Sequence, residues 1–160
     1  MRLIKIFLLL TIIVFFLPFF SVSCNPQDKG ISFSGFEFTT GKNINGHQQN
    51  GKPFGFILII APVILLILSF FIYKTKNNTV YNIYKYILFI APIFDIFAVF
   101  IVKHAFEIIA KNKFGEIPVL IKIKYGFILY IIFNAAVFIF AVMNYFISPL
   151  NQSPHRPPQI

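Results

Sequence analysis

Four apolar stretches govern what this chain can fold into: Leu3 to Phe20, Phe54 to Tyr73, Ile83 to Val102 and Tyr125 to Ile147. Each has the roughly 17–25 residues that a helix needs to cross a bilayer. Lipid offers no hydrogen bonds, so each stretch must satisfy its own backbone, and helix is the assignment that follows. Strands of a membrane barrel would be shorter and would alternate polar with apolar. The first stretch is interrupted only by Lys5, which can reach back to headgroups, and the third carries one charge, Asp95, well inside. With 58% hydrophobic and 12% charged residues, the 160-residue chain lacks the polar surface that a water-soluble domain of this size requires. The predicted class is an all-α membrane protein, a four-transmembrane-helix bundle forming one domain over residues 1–147.

The net charge of +9 sits almost entirely between the apolar stretches, close to where headgroups would lie. That placement suits anionic lipid and not nucleic acid, which calls for a soluble basic face with interleaved aromatics. The lipid bilayer is thus the first expected partner. Orientation is less direct. With the N-terminus inside, the inner segments hold Arg2, Lys5, Lys74, Lys76, Lys85 and Arg156, and the outer ones Lys29, Lys42, Lys52, Lys103, Lys111, Lys113, Lys122 and Lys124. The count alone favours the reverse. Arg2 and Lys5 before the first apolar run resemble a signal start, however, and the first helix usually dominates, so both termini are expected in the cytoplasm, with Gly46 and Asn112 outside.

Between the first two stretches, residues 21–53 turn Gly-, Asn- and Gln-rich and form an outer loop. Within it, Ile31 to Thr40 has strand-like composition, with a slip of phase near Gly35 that predicts a bulge. Val119 to Ile123 alternates in the same way just before the fourth helix. In a four-span chain both lie on one side, so they are expected to pair into a small extracytoplasmic β element. A hairpin near Asn43 to Gln49 is expected to add a third strand, since two strands alone are marginal. His104 to Lys113 reads as a separate short interfacial helix. Residues 148–160, with Pro149, Pro154, Pro157 and Pro158, form an extended, disordered tail.

A common pattern, Ile57-Leu58-x-Ile60-Ala61-Pro62 and Ile87-Leu88-x-Ile90-Ala91-Pro92, marks the second and third stretches as an internal repeat or a coincidence of an Ile-rich chain. Asp95 is a functional candidate by default, because carboxyls inside a membrane are costly. Asn134 and Asn144 in the last stretch are milder versions of the same signal. Asp95 lies eight residues from the outer end of its helix and Asn134 eight from the outer end of the next. Antiparallel neighbours would bring both to one level, about 12 Å deep, and a hydrogen bond between them is expected. A carboxyl buried there is expected neutral or strongly hydrogen-bonded.

Cys24 is the sole cysteine, so no internal disulfide or thiol relay can form. Phe20-Ser21-Val22-Ser23-Cys24 fits a permissive lipidation box and equally an ordinary signal-peptidase site. The first helix is expected to be retained, with Cys24 a free thiol at its outer end, because the remaining spans form a bundle that a fourth completes. His47, His104 and His155 are scattered, and no metal spacing, phosphate loop, serine elbow or carboxylate pair occurs. The chain is accordingly expected to be no enzyme and to take no cofactor. Two functions stay open: a membrane subunit or scaffold whose outer loop binds a protein partner or a second copy, and a small transporter or channel subunit using Asp95.

Two stretches carry a resemblance: Leu17-Pro18-Phe19-Phe20-Ser21-Val22-Ser23-Cys24 before the Gly-rich loop, and Lys124-Tyr125-Gly126-Phe127 opening the last helix. They resemble a loose group of small bacterial membrane proteins with four predicted spans and no assigned activity. The resemblance covers about a fifth of the chain and implies a bacterial inner-membrane setting with the first helix retained. The layout of a strand-bearing first loop and a shorter strand before helix four also resembles claudins. Claudins differ in having Trp and a cysteine pair in that loop, both missing from this one.

Overall fold

Proline and the chemistry of caps, more than hydropathy, set where the helices end. In the computed structural model, which describes residues 2–23, 27, 30–44, 47–72, 78–114 and 120–144, the first helix α1 is Arg2–Val14. It was expected to reach Phe20. Instead Phe15, Phe16 and Leu17 donate back three residues, closing a tight turn, and Pro18 opens a strand β1, Pro18–Ser23. Proline has no N–H to continue a helix and pushes the residue before it out of helical conformation. The aromatic and β-branched residues that follow favour a pleated strand.

The expected strand over Ile31 to Thr40 splits in two. Its first half is β2, Ile31–Ser34, and its second half is a helix, α2, Gly35–Thr40. The reason is a capping box: Glu37 N–H donates to Ser34 Oγ at 3.0 Å, and Ser34 N–H donates to a Glu37 carboxylate oxygen at 2.9 Å. The phase slip at Gly35 is therefore a helix start. β2 does not pair with the strand before the last helix, β5, Leu120–Ile123. Both pair antiparallel with β1, which lies between them in the order β2-β1-β5. A bulge does occur, on β1: Pro18 faces Ser34 and Phe20 faces Phe33, leaving Phe19 between them. This extra residue turns two consecutive rings, Phe19 and Phe20, into the core. The hairpin β3–β4, Gly41–Ile44 and His47–Asn50, pairs as its own two-stranded sheet and adds no strand to the other.

A short 3-10 turn, Pro53–Phe56, leads into α3, Ile57–Ile72. Next comes α4, Asn78–Phe114, 37 residues and about 55 Å long. The separate interfacial helix expected from His104 to Lys113 is the last third of α4. Nothing between Val102 and Phe114 breaks a helix, and Lys103 and Glu107 bridge one turn of it at 2.7 Å. The last helix, α5, is Tyr125–Val142. Cys24, Gly46 and the tail at 148–160 lie outside the described residues.

Two of these helices, over Asn82–Ile108 and Tyr125–Val142, are long and apolar enough to cross a membrane. α3 is apolar but shorter, and α1 has only 13 residues. The four pack in a ring: α1 lies against α5 and α3, and α4 against the same two. Two buried clusters fill it. One joins Leu58, Val99 and Tyr130 to Phe19, Phe20 and Phe33 of the sheet, and the other gathers Ile4, Leu8, Leu65, Leu88 and Val137 towards the opposite end. The sheet thus caps the end where α1 and α4 finish and α3 and α5 begin. Large apolar side chains face outward along every helix, among them Leu9 and Ile13, Ile60 and Ile67, Phe97 and Ile101, Ile128 and Ile132.

Candidate functional site

Between the two apolar clusters, three helices place polar side chains in the interior: Thr11 on α1, Asp95 on α4 and Asn134 on α5. The chain order fixes this level. Thr11 falls between Leu8 and Val14, Asn134 between Tyr130 and Val137, and Asp95 between Leu88 and Ala98, in each case with one neighbour in each cluster. Thr11 Oγ1 donates to the Phe7 carbonyl one turn back at 2.9 Å, which satisfies it within its own helix.

Tyr130 supplies the one buried hydrogen bond between helices at this level in the described residues. Its hydroxyl donates to the carbonyl of Leu58 on α3 at 2.6 Å. That carbonyl is available for a specific reason: its helical donor would be the N–H of the residue four positions on, which is Pro62. A tyrosine on one helix thus fills the vacancy that a proline makes on another. The signal is present in the sequence, since an intrahelical proline always frees a carbonyl four residues before it. Nothing local says which side chain will answer it.

The expected bond between Asp95 and Asn134 is not made. Both side chains are 1% exposed, but Asn134 Nδ2 turns back to the Tyr130 carbonyl of its own helix at 3.0 Å. Neither carboxylate oxygen of Asp95 has a hydrogen-bond partner among the described residues. Spacing bears on depth along a helix and not on rotamer, and the rotamer here carries Asn134 to its own backbone. Asn144 is exposed near the far end of α5, bonded to the Phe140 carbonyl at 2.7 Å, and does not join the layer. Cys24 lies outside the described residues, so its lipidation or retention as a thiol has no geometry to report.

At the capped end, Phe106 of α4 is the peg on which the outer segments hang. Its ring stacks on Phe20 of β1 at 5.4 Å and meets Phe33 of β2 and Phe38 of α2 edge-on at 5.8 and 5.3 Å. Lys42 ties β3 to this assembly, donating to the Ser32 carbonyl at 2.6 Å and pairing with Glu37 at 2.9 Å. Burial tends to raise the Glu37 carboxyl, but the Ser34 N–H and the Lys42 ammonium outweigh it and hold the carboxyl below its ordinary value. No group of three or more His, Cys, Asp or Glu gathers among the described residues. Compared with known protein families, with curated proteins and with solved structures, the chain matches none.

Proposed function

We propose that the chain is a non-enzymatic integral membrane subunit or scaffold: all four helices cross a bacterial inner membrane, both termini are cytoplasmic, and the outer cap binds a protein partner or a second copy. Outward-facing Ile, Leu and Phe on all four helices support the membrane part, including the helices too short to qualify by length alone. α1 covers only about 20 Å as helix, and the bilayer would thin locally or the turn at Phe15 to Leu17 would complete the crossing.

The observation that carries the scaffold reading is the one-sided cap. A sheet, a short capped helix and a polar hairpin are gathered at one end of the ring and fastened there by Phe106 and Lys42. A loop without a binding role has little call for such fastening, because exposed connections are tolerated unordered. The test is site-directed crosslinking in intact cells from the hairpin, at Asn43→Cys and Asn50→Cys in a Cys24→Ser background, which leaves the Lys42 contacts in place. A discrete crosslinked species from Asn50, lost when residues 41–49 alone are replaced by a Gly-Ser linker in a protein that keeps the cysteine at position 50 and still folds, supports the reading. A monomer that crosslinks to nothing at either position removes it.

A further inference from the structure

A buried carboxyl is normally explained by what it pairs with, and among the described residues Asp95 has no partner. The oxygens have no hydrogen-bond partner among the described residues, and the side chain is 1% exposed. The packed neighbours offer no compensating charge. α3 contains no titratable side chain at all, and α5 offers only Tyr125 and Tyr130, the latter committed to Leu58. The charged residues of α1 are Arg2 and Lys5, at its opposite end from Thr11. On α4 itself, Lys85 and Lys103 are ten and eight residues away, about 15 and 12 Å along the axis. Glu107 lies farther out and pairs with Lys103 at 2.7 Å, with the His104 ring 3.8 Å from its other oxygen.

Packing does not explain the carboxyl either. α3 and α4 repeat one another at an offset of thirty residues. Ile57 and Ile87, and Ile60 and Ile90, are exposed, while Leu58 and Leu88, and Pro62 and Pro92, are buried at matching places. At that offset the position of Asp95 on α4 corresponds to Leu65 on α3, which is equally buried. The slot is thus filled by a plain apolar side chain in one copy of the pattern and by an acid in the other. Placing an ionisable group where leucine serves is costly unless the group does something.

We propose that Asp95 is a proton-binding site in the middle of the helix ring. The arrangement selects among the occupants an intramembrane acid can have. A basic side chain from a partner helix in the membrane is shut out, because the carboxyl faces the interior and not the lipid surface. A metal cation would need several oxygens converging on one point, and no group of three or more His, Cys, Asp or Glu side chains gathers around Asp95 among the described residues. A proton needs only the carboxylate. Binding forms one O–H bond on Asp95 and leaves the neutral acid, the form that this interior accommodates without a counter-ion. Release returns the proton to water and requires the ring to admit water or another acceptor. The inference stands on the helix packing and is independent of whatever the outer cap binds.

The test is infrared difference spectroscopy of the full chain in lipid nanodiscs, reading the carbonyl stretch of a neutral carboxylic acid. At neutral pH such a band is expected in the wild type, shifted on transfer to D2O and lost reversibly as the pH is raised. It should be missing from both Asp95→Asn and Asp95→Leu, and the leucine variant, which copies the Leu65 slot, should remain folded even if the asparagine variant does not. Exchange of sodium for choline at fixed pH should leave it unchanged. A wild type without the band, a band that survives both substitutions, or one that persists at every pH the fold tolerates would overturn the proposal. A band displaced by sodium would overturn it in favour of a metal cation site.

Discussion

Tyr130 and Pro62 form a matched pair although they sit on different helices, and the match yields a quantitative expectation. Tyr130→Phe leaves the Leu58 carbonyl without a donor, which should cost on the order of 0.6–1.7 kcal/mol, the range found for hydrogen bonds between membrane helices. Pro62→Ala restores a helical N–H to the same carbonyl. In that background the Tyr130→Phe penalty should shrink towards zero, and a double-mutant cycle in thermal unfolding measures it. Equal penalties in both backgrounds would mean that the phenol acts elsewhere. Gly126 poses a similarly local demand. A Cβ there would stand 2.6 Å from the Pro18 carbonyl oxygen and 3.0 Å from the Phe19 ring, so the first turn of α5 lies directly on the backbone of β1. Gly126→Ala should lower stability by about 1–3 kcal/mol, as overpacking does, and the Phe127 and Phe19 rings should move apart in a structure of the variant.

Among the elements, α2 is the shortest helix and depends most on its ends. Ser34→Ala removes an N-cap and should cost about 0.5–2 kcal/mol, read as faster amide exchange over Gly35 to Thr40. Glu37 adds a pH dependence of known sign. Its carboxyl is held below the ordinary value of 4.5, so the stability it contributes is present above that value and is lost as pH falls through its lower, folded value. The contribution is modest, about 0.2–1 kcal/mol, because the pair with Lys42 is partly exposed. Glu37→Gln should flatten this acid limb of the unfolding curve. These elements also show what was legible in advance. The apolar runs behind α3, α4 and α5 stood out because burial in lipid or in a core leaves the same mark over many residues. The strand at Pro18–Ser23 was hidden, since Phe19, Phe20 and Val22 continue an apolar run and hydropathy does not separate helix from strand. The helix at Gly35–Thr40 was hidden differently. Its cap, Ser34 with Glu37 three residues on, was written in the chain but was outweighed by alternating Phe33, Phe36 and Phe38.

For the whole molecule, topology is the property on which the remaining proposals lean. With Cys24→Ser as background, Asn50→Cys on β4 should react with a membrane-impermeant thiol reagent in intact cells, and Asn82→Cys on α4 should react only after permeabilisation. The reverse pattern would invert the orientation. That Asp95 and Asn134 do not bond was not foreseeable, because spacing along a helix bears on height and says nothing of rotamer. The described connections across the ring are also lopsided. At one end β1 joins the exit of α1 to the entry of α5 through backbone hydrogen bonds, with the Lys124 N–H adding one more to the Phe19 carbonyl at 2.8 Å. At the other, Ile4, Leu8, Tyr84, Leu88, Val137 and Ala141 meet only as side chains. Mechanically this resembles a tuning fork: a strand ladder joins the handle, and at the prongs, where α3 is followed by α4, the helices are held by side-chain packing and one hydroxyl contact between Tyr84 and Ser69. Apolar packing has no preferred direction and yields to sliding, whereas a strand ladder does not. Amide exchange should therefore be slower in the first turns of α5 than in its last, and water that reaches the centre should enter between the prongs.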